Sequence, residues 1–132
     1  MSLYIRDANS SGAIETMAKL GPSLLTTSFG EFEFLNAIHL RLFRKEADPG
    51  QVRAVEAAFQ SHLTGRVISV QPIPPEIYST AIQIVRRFTP RLGIRSLDLL
   101  HVASALAIKV DTFLTFDRSQ KRLAEVAGLK TL

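Results

Sequence analysis

The chain has 132 residues, 46% of them hydrophobic and 21% charged, with a formal net charge of +4 and no cysteine. Such a length supports a single domain, 1–132, with one core, and the composition argues against disorder. Disulfides and thiolate metal sites are excluded, no apolar run reaches the roughly 18 residues that span a bilayer, and no basic-then-apolar N-terminal signal peptide is read, so a cytoplasmic protein is expected.

Residues 2–6 are short and apolar in Leu3, Tyr4 and Ile5. Ser10 or Ser11 can cap a helix through about Leu20, with Gly21 as its stop. Leu24 to Thr27 reads as a short buried strand. Ser28-Phe-Gly-Glu31 has the spacing of a capping box and opens a long, largely apolar helix through about Lys45. Asp48-Pro49-Gly-Gln51 starts the next helix, with Pro at its first position, and Gly65 ends it. Val67 to Val70 is a strand. Pro74-Pro75 leads into a helix through about Phe88, and residues 89–93 form a loop. Ser96 caps the helix that carries Asp98. Phe113 to Phe116 is a strand, Asp117-Arg-Ser-Gln120 is another capping box, and Gly128 closes the last helix. Lys130 to Leu132 is a final strand. Strands alternating with helices predict a mainly parallel sheet covered on both faces.

The chemistry concentrates in the C-terminal third. Asp98 lies in the first turn of its helix, where Ser96 already supplies the cap. Asp117 closes a strand, and Thr115 shares its face of that strand. This arrangement can bring two carboxylates to one edge of a parallel sheet, where α/β proteins place their ligands. Clustered carboxylates in a basic protein point to a divalent metal and a phosphate-bearing substrate. The long helix offers Glu31 and Glu33. Glu31 is accounted for as a capping partner, whereas Glu33 shares a face with Gly30, Ala37 and Leu40. Arg86, Arg87, Arg91 and Arg95 approach Asp98, and Arg118, Lys121 and Arg122 come after Asp117. Such cations give affinity for phosphates without reading sequence. Arg95 is the favoured substrate contact, joined by the Thr115 hydroxyl. His101 stands one turn after Asp98, but there is no His-Glu-x-x-His pattern and no Gly-rich phosphate loop, so zinc and P-loop chemistry are not expected.

Residues Asp98, His101, Ala103, Ala105 and Leu106, then Thr115, Asp117, Gln120, Leu123, Ala124, Gly128 and Leu129, make the chain resemble the PIN domain family, and within it the VapC ribonuclease toxins. The resemblance runs from about Leu3 to Leu129. It implies a three-layer α/β/α sandwich with a mainly parallel sheet. It also implies a metal-dependent endoribonuclease in which Asp98, Asp117 and Glu33 are catalytic and hold Mg²⁺ or Mn²⁺. Glu33 is chosen over Glu31 because the family's acid stands four residues before a small residue, here Ala37. An RNA substrate, a cognate antitoxin and a homodimer are implied as well, with no membrane partner.

One part of the pattern is expected to be missing. In the family a first strand ends in an aspartate, which is a fourth acid of the site. Here residues 3–7 resemble the segment after that strand, with Asp7 a poor substitute. The alternative is therefore a degenerate, inactive PIN domain that binds RNA or a protein. A weaker rival is a phosphotransfer domain with an Asp nucleophile, for which Lys109 and Lys121 are poorly positioned.

Overall fold

The structure, a computed structural model, describes residues 24–110, 112–115 and 117–131. The expected apolar segment 2–6, Asp7 and the helix expected over 10–20 lie outside the described residues. So do Phe116, at the end of the third expected strand, and Leu132. Two compact units divide the chain, Met1–Pro72 and Ile73–Leu132.

In the N-terminal unit, β1 (Leu24–Thr27) pairs in parallel with β2 (Ile68–Gln71), in the register Leu24 to Ile68 and Thr27 to Gln71. A parallel pair needs a crossover connection, and here it is two helices, α1 (Ser28–Phe43) and α2 (Pro49–Thr64). The cap of α1 is Thr27, whose side chain accepts from the Gly30 amide at 2.9 Å. The Ser28 cap expected from sequence is displaced by one residue, because the Ser28 hydroxyl donates to the Gln71 carbonyl at the end of β2. Glu31 is therefore one position beyond the reciprocal place of a capping box. The α2 start is as expected, with Asp48 and Gln51 bonding each other's backbone at 2.8 Å and Pro49 in the first turn. Phe34 and Ile38 of α1 meet Val52 and Phe59 of α2 over Ile68. The Phe34 and Phe59 rings lie 4.9 Å apart in a tilted arrangement, which adds to the roughly 1.5–3 kcal/mol that each such side chain gains on burial.

The C-terminal unit begins with α3 (Ile77–Leu92) and α4 (Ser96–Ile108). Ile77, Ala81, Ile84 and Phe88 form one stripe of α3 and pack on Leu99, Val102 and Ala103 of α4. The loop expected over 89–93 is helical as far as Leu92, with Pro90 inside the last turn. The stop is Gly93, at φ +62°, whose amide donates to the Thr89 carbonyl. A left-handed residue at a helix end is least strained as glycine. The cap of α4 is Arg95, not Ser96, and its side chain makes no capping bond. After α4, β3 (Thr112–Phe113) pairs in parallel with β4 (Lys130–Thr131), and α5 (Arg118–Val126) is the crossover between them. Leu123 and Ala124 of α5 are completely buried in the same core as Val102 and Phe88. The chain is thus an α/β protein with parallel strands joined by helices, as the alternation in the sequence predicts.

Candidate active site

Asp98 sits in the first turn of α4 and is buried, only 9% exposed. A carboxylate taken out of water must have partners, because an unpaired buried charge is strongly unfavourable. Asp98 has two. Its Oδ1 accepts from the side-chain amide of Gln120 at 3.0 Å. Its Oδ2 lies 3.4 Å from Nε of Arg95, at the residue that caps the helix. The Arg95 side chain is 82% exposed, so water screens this pair and it contributes about 0–1 kcal/mol. The first-turn position adds a favourable contact with the helix dipole.

Asp117 is the N-cap of α5, and its Oδ1 accepts from the Gln120 backbone amide at 2.9 Å. Thr115 lies between Asp117 and Gln120 in the hydrogen-bond pattern. Its Oγ1 accepts from the Asp117 amide at 3.0 Å and donates to Oε1 of Gln120 at 2.9 Å. Gln120 therefore bonds to three members of the site: Thr115 through Oε1, Asp98 through Nε2 and Asp117 through its backbone. The capping box expected at Asp117 is only half present, since the glutamine side chain turns to Asp98 instead of back to the Asp117 amide. From sequence, Gln120 belongs to the cap and to the family pattern and has no part in the site. The signal available is its reach, a long amide in the first turn of a helix that starts at a candidate acid.

Of the residues expected from sequence, Asp98, Asp117, Thr115 and Arg95 come together in the C-terminal unit. Glu33 is half-buried on α1 of the N-terminal unit, as is Glu31. His101 is half-buried on α4. Arg86, Arg87 and Arg91 are exposed on α3, with Arg87 stacked over the Phe88 ring at 5.1 Å. Arg118 and Arg122 lie on α5 along with Lys121, which is half-buried.

Among the described residues, no three His, Asp or Glu side chains gather into a group able to hold a metal. The Asp98–Asp117 pair still fits a magnesium-type ion in donor chemistry. Each carboxylate has one oxygen tied to Gln120 and a second that Gln120 leaves alone. Such an ion binds through one or two carboxylates, keeps several waters and takes substrate phosphate oxygens for the rest. Also among the described residues, no helix is long and apolar enough to cross a membrane.

Neither the curated proteins nor the solved structures give a match. The family model described as the PIN domain matches residues 3–126, nearly the whole chain. It carries with it a nuclease-type fold and a family whose members are generally metal-dependent nucleases acting on RNA. On that match, and with its parallel α/β fold, the chain belongs to the PIN domain family.

Proposed function

We propose that this chain is a divalent-metal-dependent endoribonuclease, the toxin of a toxin–antitoxin pair. Residues 1–132 act as one domain, in the cytoplasm and as a homodimer that a cognate antitoxin blocks. The observation that carries the proposal is the linkage of Asp98 and Asp117 through Gln120 in a member of the PIN family.

Asp98 and Asp117 would hold Mg²⁺ or Mn²⁺ by hard carboxylate oxygens. When bound, such an ion lowers the pKa of a coordinated water and stabilises the charge that develops on a phosphodiester. Asp98, fixed by Gln120 on one oxygen, presents the other. Arg95, on an exposed and long side chain, has the freedom to leave Asp98 Oδ2 for an RNA phosphate. Thr115 orients Gln120 and Asp117, and its hydroxyl is the one assigned to a substrate contact. The net charge of +4 favours a polyanion.

A second reading is a degenerate domain that binds RNA or protein without cleaving. It draws on the same geometry, since both oxygens of Asp98 already have partners within the chain. One experiment separates the two. Purified chain is incubated with end-labelled RNA in Mg²⁺, in Mn²⁺ and in excess EDTA. Metal-dependent cleavage, blocked by chelator and lost in Asp98→Asn, supports the nuclease. RNA retained on the protein but left intact in every metal supports the binding module, and equal cleavage in EDTA rejects metal catalysis.

A further inference from the structure

We infer that Gln120 is the positioning residue of the site, the group that sets the geometry of both carboxylates for a divalent ion. The inference rests on the metal-nuclease reading and deepens it by naming what sets the geometry of its two carboxylates.

Three observations carry it. The first is connectivity: four hydrogen bonds of 2.9–3.0 Å link Asp117, Thr115, Gln120 and Asp98. Within that network, Gln120 is the member that bonds to both acids. The second is orientation. The Asp98 carboxylate only accepts, which fixes Nε2 as the end facing it and leaves Oε1 to accept from the Thr115 hydroxyl. A glutamine held this way cannot turn its carbonyl toward the carboxylate. The third is the freedom of its side chain from the cap. The Asp117 amide is satisfied by Thr115, so the glutamine side chain is not needed there. It serves the acid of another helix, 22 residues away in sequence. A neutral amide donor on one carboxylate oxygen holds the group in place without cancelling its charge, so the other oxygen remains a ligand. Partners of this kind behind a metal ligand typically matter by about 10–100-fold in affinity or activity.

The test uses Gln120→Met in the full chain. Methionine keeps length and helix propensity, and the backbone amide of residue 120 still caps onto Asp117. Mn²⁺ affinity is measured by calorimetry, and kcat and KM by cleavage of a short RNA. The expected result is Mn²⁺ binding weakened by roughly tenfold or more and a lower kcat, with KM for RNA within about twofold. Ile84→Val, which loosens the same unit's core from α3, should leave Mn²⁺ affinity unchanged. A measurement on the unaltered chain stands beside the variants. Mg²⁺ should shift the side-chain amide resonances of Gln120 and leave those of Gln60 and Gln83 in place.

Wild-type affinity in folded Gln120→Met would overturn the assignment of Gln120 while leaving the nuclease reading standing. So would an unmoved Gln120 amide in a chain that binds metal. No Mn²⁺ binding by the wild-type chain would overturn both.

Discussion

Asp98→Asn separates what Asp98 does for the fold from what it does for the chemistry. The variant keeps the shape of the side chain, and its amide oxygen can still accept from Gln120 Nε2. It loses the contact with Arg95, worth about 0–1 kcal/mol because that arginine is 82% exposed. It also loses the favourable position of a negative charge in the first turn, about 0.3–1 kcal/mol. Against these stands relief, because a buried carboxylate costs desolvation that a buried amide largely avoids. The expected loss of stability is therefore below about 2 kcal/mol, small enough for the chain to stay folded. Metal binding should respond quite differently. Affinity for hard cations depends on ligand charge, and one of the two linked carboxylates has become neutral. The loss of Mn²⁺ affinity should exceed the roughly 10–100-fold that removal of an outer partner costs. Urea denaturation gives the first quantity, and calorimetry with Mn²⁺ plus RNA cleavage gives the second. A folded Asp98→Asn protein that binds Mn²⁺ and cleaves RNA as well as wild type would refute the reasoning. So would a variant that does not fold, since Asp98 would then be a structural residue first.

Asp117→Ala should cost about 1 kcal/mol in denaturant unfolding through loss of the α5 cap, whereas Asp117→Asn should keep stability and still lose Mn²⁺ affinity; equal affinity in both variants and wild type would remove Asp117 from the site. Leu123→Ala, at a completely buried position, should destabilise by roughly 2–5 kcal/mol, and a change under about 1 kcal/mol would mean that the C-terminal core is not packed as described. Lys109 ends α4 at φ +64°, so Lys109→Gly should stabilise by up to about 1 kcal/mol by relieving a left-handed side chain; a loss of stability would contradict that conformation. Thr115→Val should leave stability within about 1 kcal/mol, since Gln120 can then cap Asp117, yet weaken Mn²⁺ binding by releasing Asp98; unchanged binding in calorimetry would show that Thr115 does not orient Gln120.

How much is legible in the sequence depends on whether the deciding contact is local. The α2 start is readable because Asp48, Pro49 and Gln51 complete their bonds among themselves. The α1 start differs by one residue from the local reading because the Ser28 hydroxyl is drawn to Gln71, 43 positions away, which no local pattern records. The helical state of residues 89–92 is hidden by Pro90, a residue that argues for a break. A proline in the last turn forfeits only one backbone bond, and the buried stripe ending at Phe88 carries the helix past it. Asp98 and Asp117 are legible as candidates because acids at a helix start and a strand end are few in a chain of this composition. Their shared glutamine is not legible, because its bond to Asp98 depends on the packing of α4 against α5.

The spacing Asp-x-x-Gln occurs twice in this chain, and the two copies show what decides a glutamine's partner. At α2, Gln51 bonds back to the Asp48 amide at 2.8 Å, and both residues are exposed. At α5, Gln120 leaves the Asp117 amide to Thr115 and bonds Asp98. A bond to a neutral backbone group is worth about 0.5–1.5 kcal/mol net, and one to a charged group about 1.5–3 kcal/mol. Burial widens that gap, since Asp98 would otherwise lose the solvation of its charge. Returning Gln120 to its cap would therefore strip a buried carboxylate to recover a weaker bond that Thr115 already provides. The threonine two residues before Asp117 is what makes the exchange favourable; the residue two before Asp48 is Glu46, which has no hydroxyl to offer and pairs from its side chain with Arg41 instead. A short polar side chain on the segment before a helix thus releases the helix's own capping residue for use by the acid of a neighbouring helix.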